Sequence, residues 1–535
     1  MLHWPDMDRP RIARAAVVIM LGNLVTSALG FVRQFVTARY FGAGSASDAW
    51  FAAYTVPQMF YDLVIGGAIS AALIPSFTRL FDSNRPDFWR TVGSIFVLAA
   101  LVLLFLVGVL EIAAHPLMLA IASGFAVKDR GATLNLSVRL VRVILPTLFF
   151  WGLSAVSLAC LYSIGRRIAA SFATACFHLG IIVAAVILAS PLGIIALPIG
   201  AVAGAASQFL VQVPSLIRAR RDFPAVVRPV INLRDPAVLK ILLLYGPVAI
   251  GIMVSIAGQI ADINLKSHLS IHGGLSDMQY ATTLIQFPVG IIVAALGLAV
   301  LPLISSDAAA GRMEDLKDKL GLGFRLVLLL MIPSAIGFLV LGQPIVALLF
   351  QHGRFTHIST VHTTSAILGY APQLPFIGID QLLIFAFYAR HNTVTPMLAG
   401  VIGVVVYVGL ALLLIGPLAI FGLAIANTVQ IAFHACMLAI LLLREVGLMA
   451  GRRLLVTGAK VIAGSLIMGL VVRFAATWIG EIGTGRVDRL AVVIVPLVVG
   501  VAVYALLMNL LRVEEVGLVR TALARRLMGP KLQPE

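Results

Sequence analysis

The chain is short of charge, cysteine and polar stretches, and each shortage excludes a class of protein. Only 12% of its 535 residues are charged, 60% are hydrophobic, and the mean hydropathy is +1.04. One soluble core stops growing at about 250 to 300 residues, so a water-soluble chain of this length would need far more polar surface. Cys160, Cys176 and Cys436 stand apart in apolar segments with no CxxC or Cys/His spacing, which supports neither a disulfide framework nor a metal site. The short alternating segments of a membrane β-barrel are missing. So is a GxxxxGK[ST] phosphate loop, and with it any nucleotide-driven motor in this chain. The scattered carboxylates and histidines make no hydrolytic constellation, so the expected chemistry is translocation and the chain is not expected to be an enzyme.

What the chain has instead is long apolar runs. A membrane-crossing helix needs about 20 apolar residues, and about fourteen segments qualify. Lipid requires each segment to satisfy its own backbone polar groups, so the expected fold class is all-α and polytopic. The first run, 13–41, is too long for a signal-peptide core and lacks a small-residue cleavage site, so it is expected to remain in the mature protein. Lys and Arg concentrate in alternate loops, for example Arg218 to Lys240, Arg312 to Arg325, Arg444 to Lys460 and Arg512 to Lys531. The intervening loops hold only Lys128, Arg130, Lys266, Arg354, Arg486 and Arg489. That asymmetry predicts a multi-pass protein with both termini cytoplasmic. The formal charge of +16 is spread over short loops, which fits anionic headgroups as the partner and not nucleic acid.

An internal repeat is faint. Gly42 to Pro75 and Gly273 to Pro302 each have a Gly/Ser/Asp entry, a mid-helix proline, a run of small residues and a proline exit. An even number of spans between the copies makes the repeat parallel, the kind that builds two transporter lobes. Within the first copy, Asp48, Thr55 and Asp62 fall at i, i+7 and i+14 of one predicted helix, placing the carboxylates about 21 Å apart on one stripe. That second span, 46–79, is unusually long, and Pro57, Gly66 and Gly67 offer places to bend it.

Charged side chains inside such segments cost about 2.5 to 3.5 kcal/mol each on insertion scales, so they mark candidate sites. Arg33 is deep enough in the first span to face a polar cavity, and guanidinium suits bidentate phosphate binding; Arg39 either joins it or snorkels to the interface. Arg139 and Arg142, near a helix start, are expected to snorkel. Asp262 is a lone carboxylate in an apolar helix, able to bind a cation or a proton or to accept local hydrogen bonds. Asp380 and Gln381 interrupt the tenth span similarly. His178 and His434 read as satisfied core histidines.

Four stretches in order resemble the MurJ/MviN lipid II flippases of the multidrug/oligosaccharidyl-lipid/polysaccharide exporter superfamily. These are LGFVRQFVTARYFGAGSASDAWFAAYTVP (Leu29 to Pro57), the span from Gly274 to Pro302, LFQHGRFT (Leu349 to Thr356) and FYARHNTVTP (Phe387 to Pro396). The resemblance implies fourteen helices in two six-helix lobes plus two C-terminal helices. It divides the chain into an N-terminal lobe at 1–217, a basic cytoplasmic linker at 218–240, a C-terminal lobe at 241–443, a lipid-tail groove at 444–511 and a basic tail at 512–535. It further implies residence in the bacterial cytoplasmic membrane and transfer of a polyprenyl-diphosphate-linked peptidoglycan precursor from the inner to the outer leaflet by alternating access.

By this resemblance Arg33, Arg39 and Asp48 match substrate-binding positions. Asp262 matches an acidic position implicated in sodium binding in some members, which makes Na+ or H+ the expected coupling ion and leaves no other cofactor. Cell-wall synthesis proteins are further implied partners. Several family cations are replaced here: Tyr61-Asp62 stands for a paired Arg, Gly66 for the following Glu, Thr282-Thr283 for Asp-Arg, and Gln381 for a basic residue. These replacements leave room for export of another lipid-linked oligosaccharide, for a multidrug-type cation antiporter, or for a non-transporting scaffold of envelope assembly.

Overall fold

The computed structural model describes residues 9–63, 73–83, 85–222, 236–447, 451–482 and 486–517. Every regular element among them is helical, and eight of the described helices are long and apolar enough to cross a membrane. Their flanks carry large bare side chains, such as Phe105 at 74% exposure, Ile112 at 85% and Phe474 at 72%. Apolar belts of that extent are stable in lipid and not in water. The protein is an all-α polytopic membrane protein. Cys160, Cys176 and Cys436 are free thiols.

Contacts divide the chain into two units, residues 1–276 with 352–356, and 277–351 with 357–535. In the first unit α1 (Arg9–Phe41) packs on α9 (Arg167–Leu192), which packs on α10 (Ala196–Leu210); α2 (Ser45–Tyr61) packs on α7 (Ala132–Ile144) and α8 (Pro146–Ser163). α8 also takes α3 (Ile74–Ser83) and α4 (Arg85–Ile112). Short helices α5 (Ala114–Ile121) and α6 (Gly124–Val127) receive α12 (Pro236–Ser267), while α11 (Val213–Asp222) closes the α10 end. The contact boundary thus falls after Ser276, one helix later than the 218–240 linker read from the sequence. The reason is local: Asn264 donates to the Ala120 carbonyl, and Ser267 Oγ accepts from the Gly124 N–H at 3.0 Å, tying α12 to the first unit. Residues 223–235 of that linker lie outside the described residues.

The second unit holds the rest of α13 (Gly274–Ala309), then α14 (Met313–Phe350), α15 (His357–Tyr370), α16 (Leu374–Ala389), α17 (Val394–Val446), α18 (Gly451–Ile482) and α19 (Arg486–Leu510). α14 is its hub, touching α15, α16, α18 and α19. One apolar run differs from the continuous span expected of it, and another bears on an expected bend. The run 360–389 is two helices joined by a 3-10 turn at Ala371–Gln373, because Pro372 and Pro375 lack the N–H that would continue one helix. In the second run, 46–79, regular α-helix stops at Tyr61 and α3 starts at Ile74. Pro57 weakens that helix from inside, and Gly66 and Gly67, the other bend points, lie outside the described residues. α17 carries a break at Ala419, where φ is 45° and ψ −122°, so it serves as the two spans expected on either side.

Candidate functional site

Two of the sequence motifs turn out to be joints. Asp48, on the first turns of α2, is 2% exposed and its carboxylate caps the start of α13. Oδ2 accepts from the Gly273 N–H at 2.9 Å, and Oδ1 from the Ser276 N–H and hydroxyl, each at 2.8 Å. These are orphan donors of a helix N-terminus, and a carboxylate there also meets the positive end of the helix dipole. Gly273 has φ +88°, and a Cβ on it would lie 2.8 Å from the Ala43 carbonyl carbon, so only glycine fits the turn. Asp48 therefore binds its own chain, and the Asp48/Thr55/Asp62 stripe does not act as a set: Thr55 donates to the Phe51 carbonyl, and Asp62 accepts from Gln58 Nε2 at 3.1 Å.

The second joint explains LFQHGRFT. The Arg354 N–H donates to the Arg39 carbonyl at 2.9 Å, an approach that Gly353 permits, since a Cβ there would lie 2.2 Å from the same oxygen. The Arg39 side chain is exposed while its backbone fastens this loop. FYARHNTVTP is a helix start: Asn392 Oδ1 accepts from the Thr395 N–H at 3.1 Å at the head of α17.

Arg33 differs from these. Its guanidinium lies 5.0 Å from the centre of the Tyr54 ring, and no carboxylate bonds it among the described residues. Tyr54 stacks on Phe177 at 6.3 Å, Phe177 meets Trp151 edge-on at 4.9 Å, and Trp151 meets Tyr61 at 5.1 Å. α1, α2, α8 and α9 thus build one aromatic row running from a half-buried cation to a half-buried phenol. Such rings hold a guanidinium by their quadrupole without neutralising it, so the positive charge stays available to an anion. The row escaped the sequence reading. The available signal was Trp50, Tyr54 and Tyr61 at helical spacing on α2, which reads equally well as core.

In the second unit, Thr283 and Thr282 donate back to the Gln279 and Met278 carbonyls, each at 2.9 Å, so their hydroxyls serve α13 itself. Gln381 is half-buried on α16. Its neighbour Asp380 meets His434 of α17 at 2.6 Å, and the other ring nitrogen of His434 sits 3.3 Å from the Pro396 carbonyl. A second pair joins His362 Nδ1 to Asp277 at 3.3 Å, with Thr363 donating to the same carboxylate at 3.2 Å. His434 is thus satisfied at both ring nitrogens, as the core-histidine reading expects, with Asp380 as the partner that the sequence did not name. Asp262, in the first unit, is bridged by Lys266 one turn on at 2.6 Å, so a coupling cation at Asp262 has to compete with an ammonium already in place.

Comparison with known proteins places the chain in a family. The family model described as Lipid II flippase MurJ matches residues 37–487. A probable lipid II flippase MurJ of Rhizobium tropici is 28% identical over 520 residues, covering 94% of each chain. A probable lipid II flippase MurJ of Vibrio cholerae is 28% identical over 438 residues, 80% of this chain and 82% of that one. Among solved structures, a lipid II flippase MurJ in an inward closed conformation superposes with a TM-score of 0.75 at 23% identity, over 92% of this chain and 98% of the other. An inward-facing multidrug resistance MATE transporter of the MOP superfamily gives 0.64 at 15% identity, over 81% and 98%. The chain belongs to the lipid II flippase MurJ family.

Proposed function

We propose that the protein is a flippase that carries a polyprenyl-diphosphate-linked peptidoglycan precursor, lipid II, from the inner to the outer leaflet of the bacterial cytoplasmic membrane by alternating access. The observation that carries this reading is Arg33, a membrane-depth cation resting on Tyr54 with no described carboxylate bonded to it. Family membership and the lipid II flippases among the relatives support the choice of substrate. In this reading Arg33 meets the diphosphate, and the half-buried Tyr61, backed by the buried Trp151, stands where the family resemblance leads one to expect a second cationic pair. The Arg39 backbone holds the loop at Arg354, and Asp48 acts by holding the α13 entry. The basic loops set the inner face, with both termini cytoplasmic. Transfer is driven by membrane potential or by an ion, since one charge crossing 100 mV supplies about 2.3 kcal/mol.

Complementation in cells depleted of their own lipid II flippase tests this. Wild type should restore growth, and Arg33→Ala should not at equal membrane abundance. Rescue that survives Arg33→Ala, or failure of the wild type to rescue, overturns the proposal. Failure together with extrusion of amphiphilic cations would assign the antiporter reading instead.

A further inference from the structure

The sequence makes His178 of α9 a satisfied core histidine, and the structure departs from that expectation. The residue is half-buried, yet its Nδ1 is sealed from solvent and has no hydrogen-bond partner among the described residues. A buried polar atom left unpaired costs stability, and such atoms are rare enough in native folds that each one needs a reason. A ring present only to fill space would be more stable as phenylalanine, which has no nitrogen to leave unbonded.

His178 stands at the Arg33 end of the aromatic row. Its chain neighbour Phe177 stacks on Tyr54 at 6.3 Å, and Tyr54 carries the Arg33 guanidinium at 5.0 Å. The imidazole itself lies against α1: a Cβ on Gly30 would stand 3.5 Å from Nε2, 3.7 Å from Cε1 and 3.8 Å from Cδ2. Gly30 and Arg33 are three residues apart and so share one face of α1. The ring therefore turns its Nε2 edge to α1, with Nδ1 on the side away from Gly30. Among the described residues, Arg33 is the charged group whose field reaches this imidazole.

We propose that His178 Nδ1 donates a hydrogen bond to a phosphate oxygen of the same anionic group that Arg33 neutralises. This contact rests on the reading of Arg33 as the diphosphate anchor and adds a second, directional donor to it. An imidazole nitrogen can carry the proton of a donated bond, and a phosphate oxygen accepts more strongly than a neutral sugar hydroxyl. A cationic ligand is disfavoured here, because it would meet the Arg33 charge at short range in a poorly screening medium. Nδ1 is closed off in this conformation, so the bond forms when the helices of the first unit part to take in the headgroup.

Equilibrium binding to the purified full chain in nanodiscs tests this, with lipid II and, as the probe that lacks phosphate, a polyprenyl alcohol. His178→Phe keeps a ring and removes both nitrogens, whereas His178→Asn keeps an amide N–H near the position of Nδ1. A hydrogen bond to a charged group corresponds to about ten- to a hundredfold in affinity. His178→Phe should therefore bind lipid II about tenfold more weakly or worse, and His178→Asn should stay within about threefold of wild type. The alcohol should bind all three proteins alike. Since Nδ1 has no partner in the fold, His178→Phe should unfold no earlier than wild type, an outcome that a nitrogen bonded to a trapped water would not give. The double variant Arg33→Ala, His178→Phe should lose less than the product of the two single losses, because both groups hold one phosphate.

Wild-type affinity in His178→Phe overturns the contact, whatever Arg33→Ala does. Wild-type affinity in Arg33→Ala beside weakened binding in His178→Phe overturns the Arg33 reading and the shared group. Single losses that simply multiply overturn the sharing, and an equal loss for the alcohol overturns the phosphate as acceptor. Earlier unfolding of His178→Phe shows the nitrogen already bonded within the fold and overturns the proposal.

Discussion

In the first unit Arg33 rests on the Tyr54 ring with no described carboxylate bonded to it, whereas in the second His434 meets Asp380 at 2.6 Å and His362 meets Asp277 at 3.3 Å. A charge paired within the fold is compensated where it stands. A cation held only by ring faces still has its full charge to offer. The comparison teaches where to look for a ligand: the histidine–carboxylate pairs of the second unit hold its helices together, whereas Arg33, a membrane-depth cation with no described carboxylate bonded to it, is equipped to meet an anion. Asp262 with Lys266 shows that the first unit can also pair its charges, which makes the isolation of Arg33 a feature of that place.

The comparison can be broken most severely at the second unit's pairs. His434→Leu leaves Asp380 alone in an apolar bundle and should cost about 3 to 5 kcal/mol, read by reversible unfolding in mixed micelles; adding Asp380→Leu should recover most of the loss. If the double variant is as unstable as the single, the pair is not a self-contained structural unit. Next comes Asp48→Ala, which strips three donors at the α13 start of their acceptor and should cost about 2 to 4 kcal/mol. Asp48→Asn should fall between, because an amide offers one acceptor oxygen where the carboxylate offers two. Tyr54→Leu removes only the ring beneath Arg33 and should cost about 0.5 to 2 kcal/mol, with a larger effect on growth rescue than on unfolding.

The smallest effect concerns a charge cluster past the apolar run of α13. Asp307 takes hydrogen bonds from Lys319 and from Arg312, the latter at 2.8 Å, and these hold its carboxyl below the ordinary carboxylate range. A depressed carboxyl contributes stability that is complete above its unfolded value and lost as pH falls through the lowered one. Wild type should therefore lose a little stability between pH 4 and more acid conditions that Asp307→Asn, already weakened at neutral pH, does not lose. Unfolding midpoints of both proteins across that range check the sign.

Much of the fold was legible because lipid leaves few choices: an apolar run long enough to span must be a helix, and the runs at 90–113, 168–190 and 454–479 are helices. Breaks inside runs were harder to read. Pro57 marked a place where α2 is weakened from inside, whereas Pro372 gave no separate warning because the hydropathy around it does not change. At the site, Arg33 was legible from the cost of its charge. Asp48 was legible as important and misleading as to its role, since a buried carboxylate has the same sequence signature whether it meets a ligand or a helix start 225 residues away. The pairing of Asp380 with His434, 54 residues apart, needed coordinates, because spacing within one helix cannot report a partner on the next.

The central claim is that the guanidinium of residue 33, bonded to no carboxylate among the described residues, is where the diphosphate of the carried lipid meets the chain. Equilibrium binding of lipid II to the purified full chain in nanodiscs, wild type against Arg33→Ala, tests it most directly. Loss of charge-assisted hydrogen bonds worth about 1.5 to 3 kcal/mol predicts affinity weaker by about ten- to a hundredfold, with unfolding shifted far less than in His434→Leu. Unchanged affinity in Arg33→Ala would contradict it.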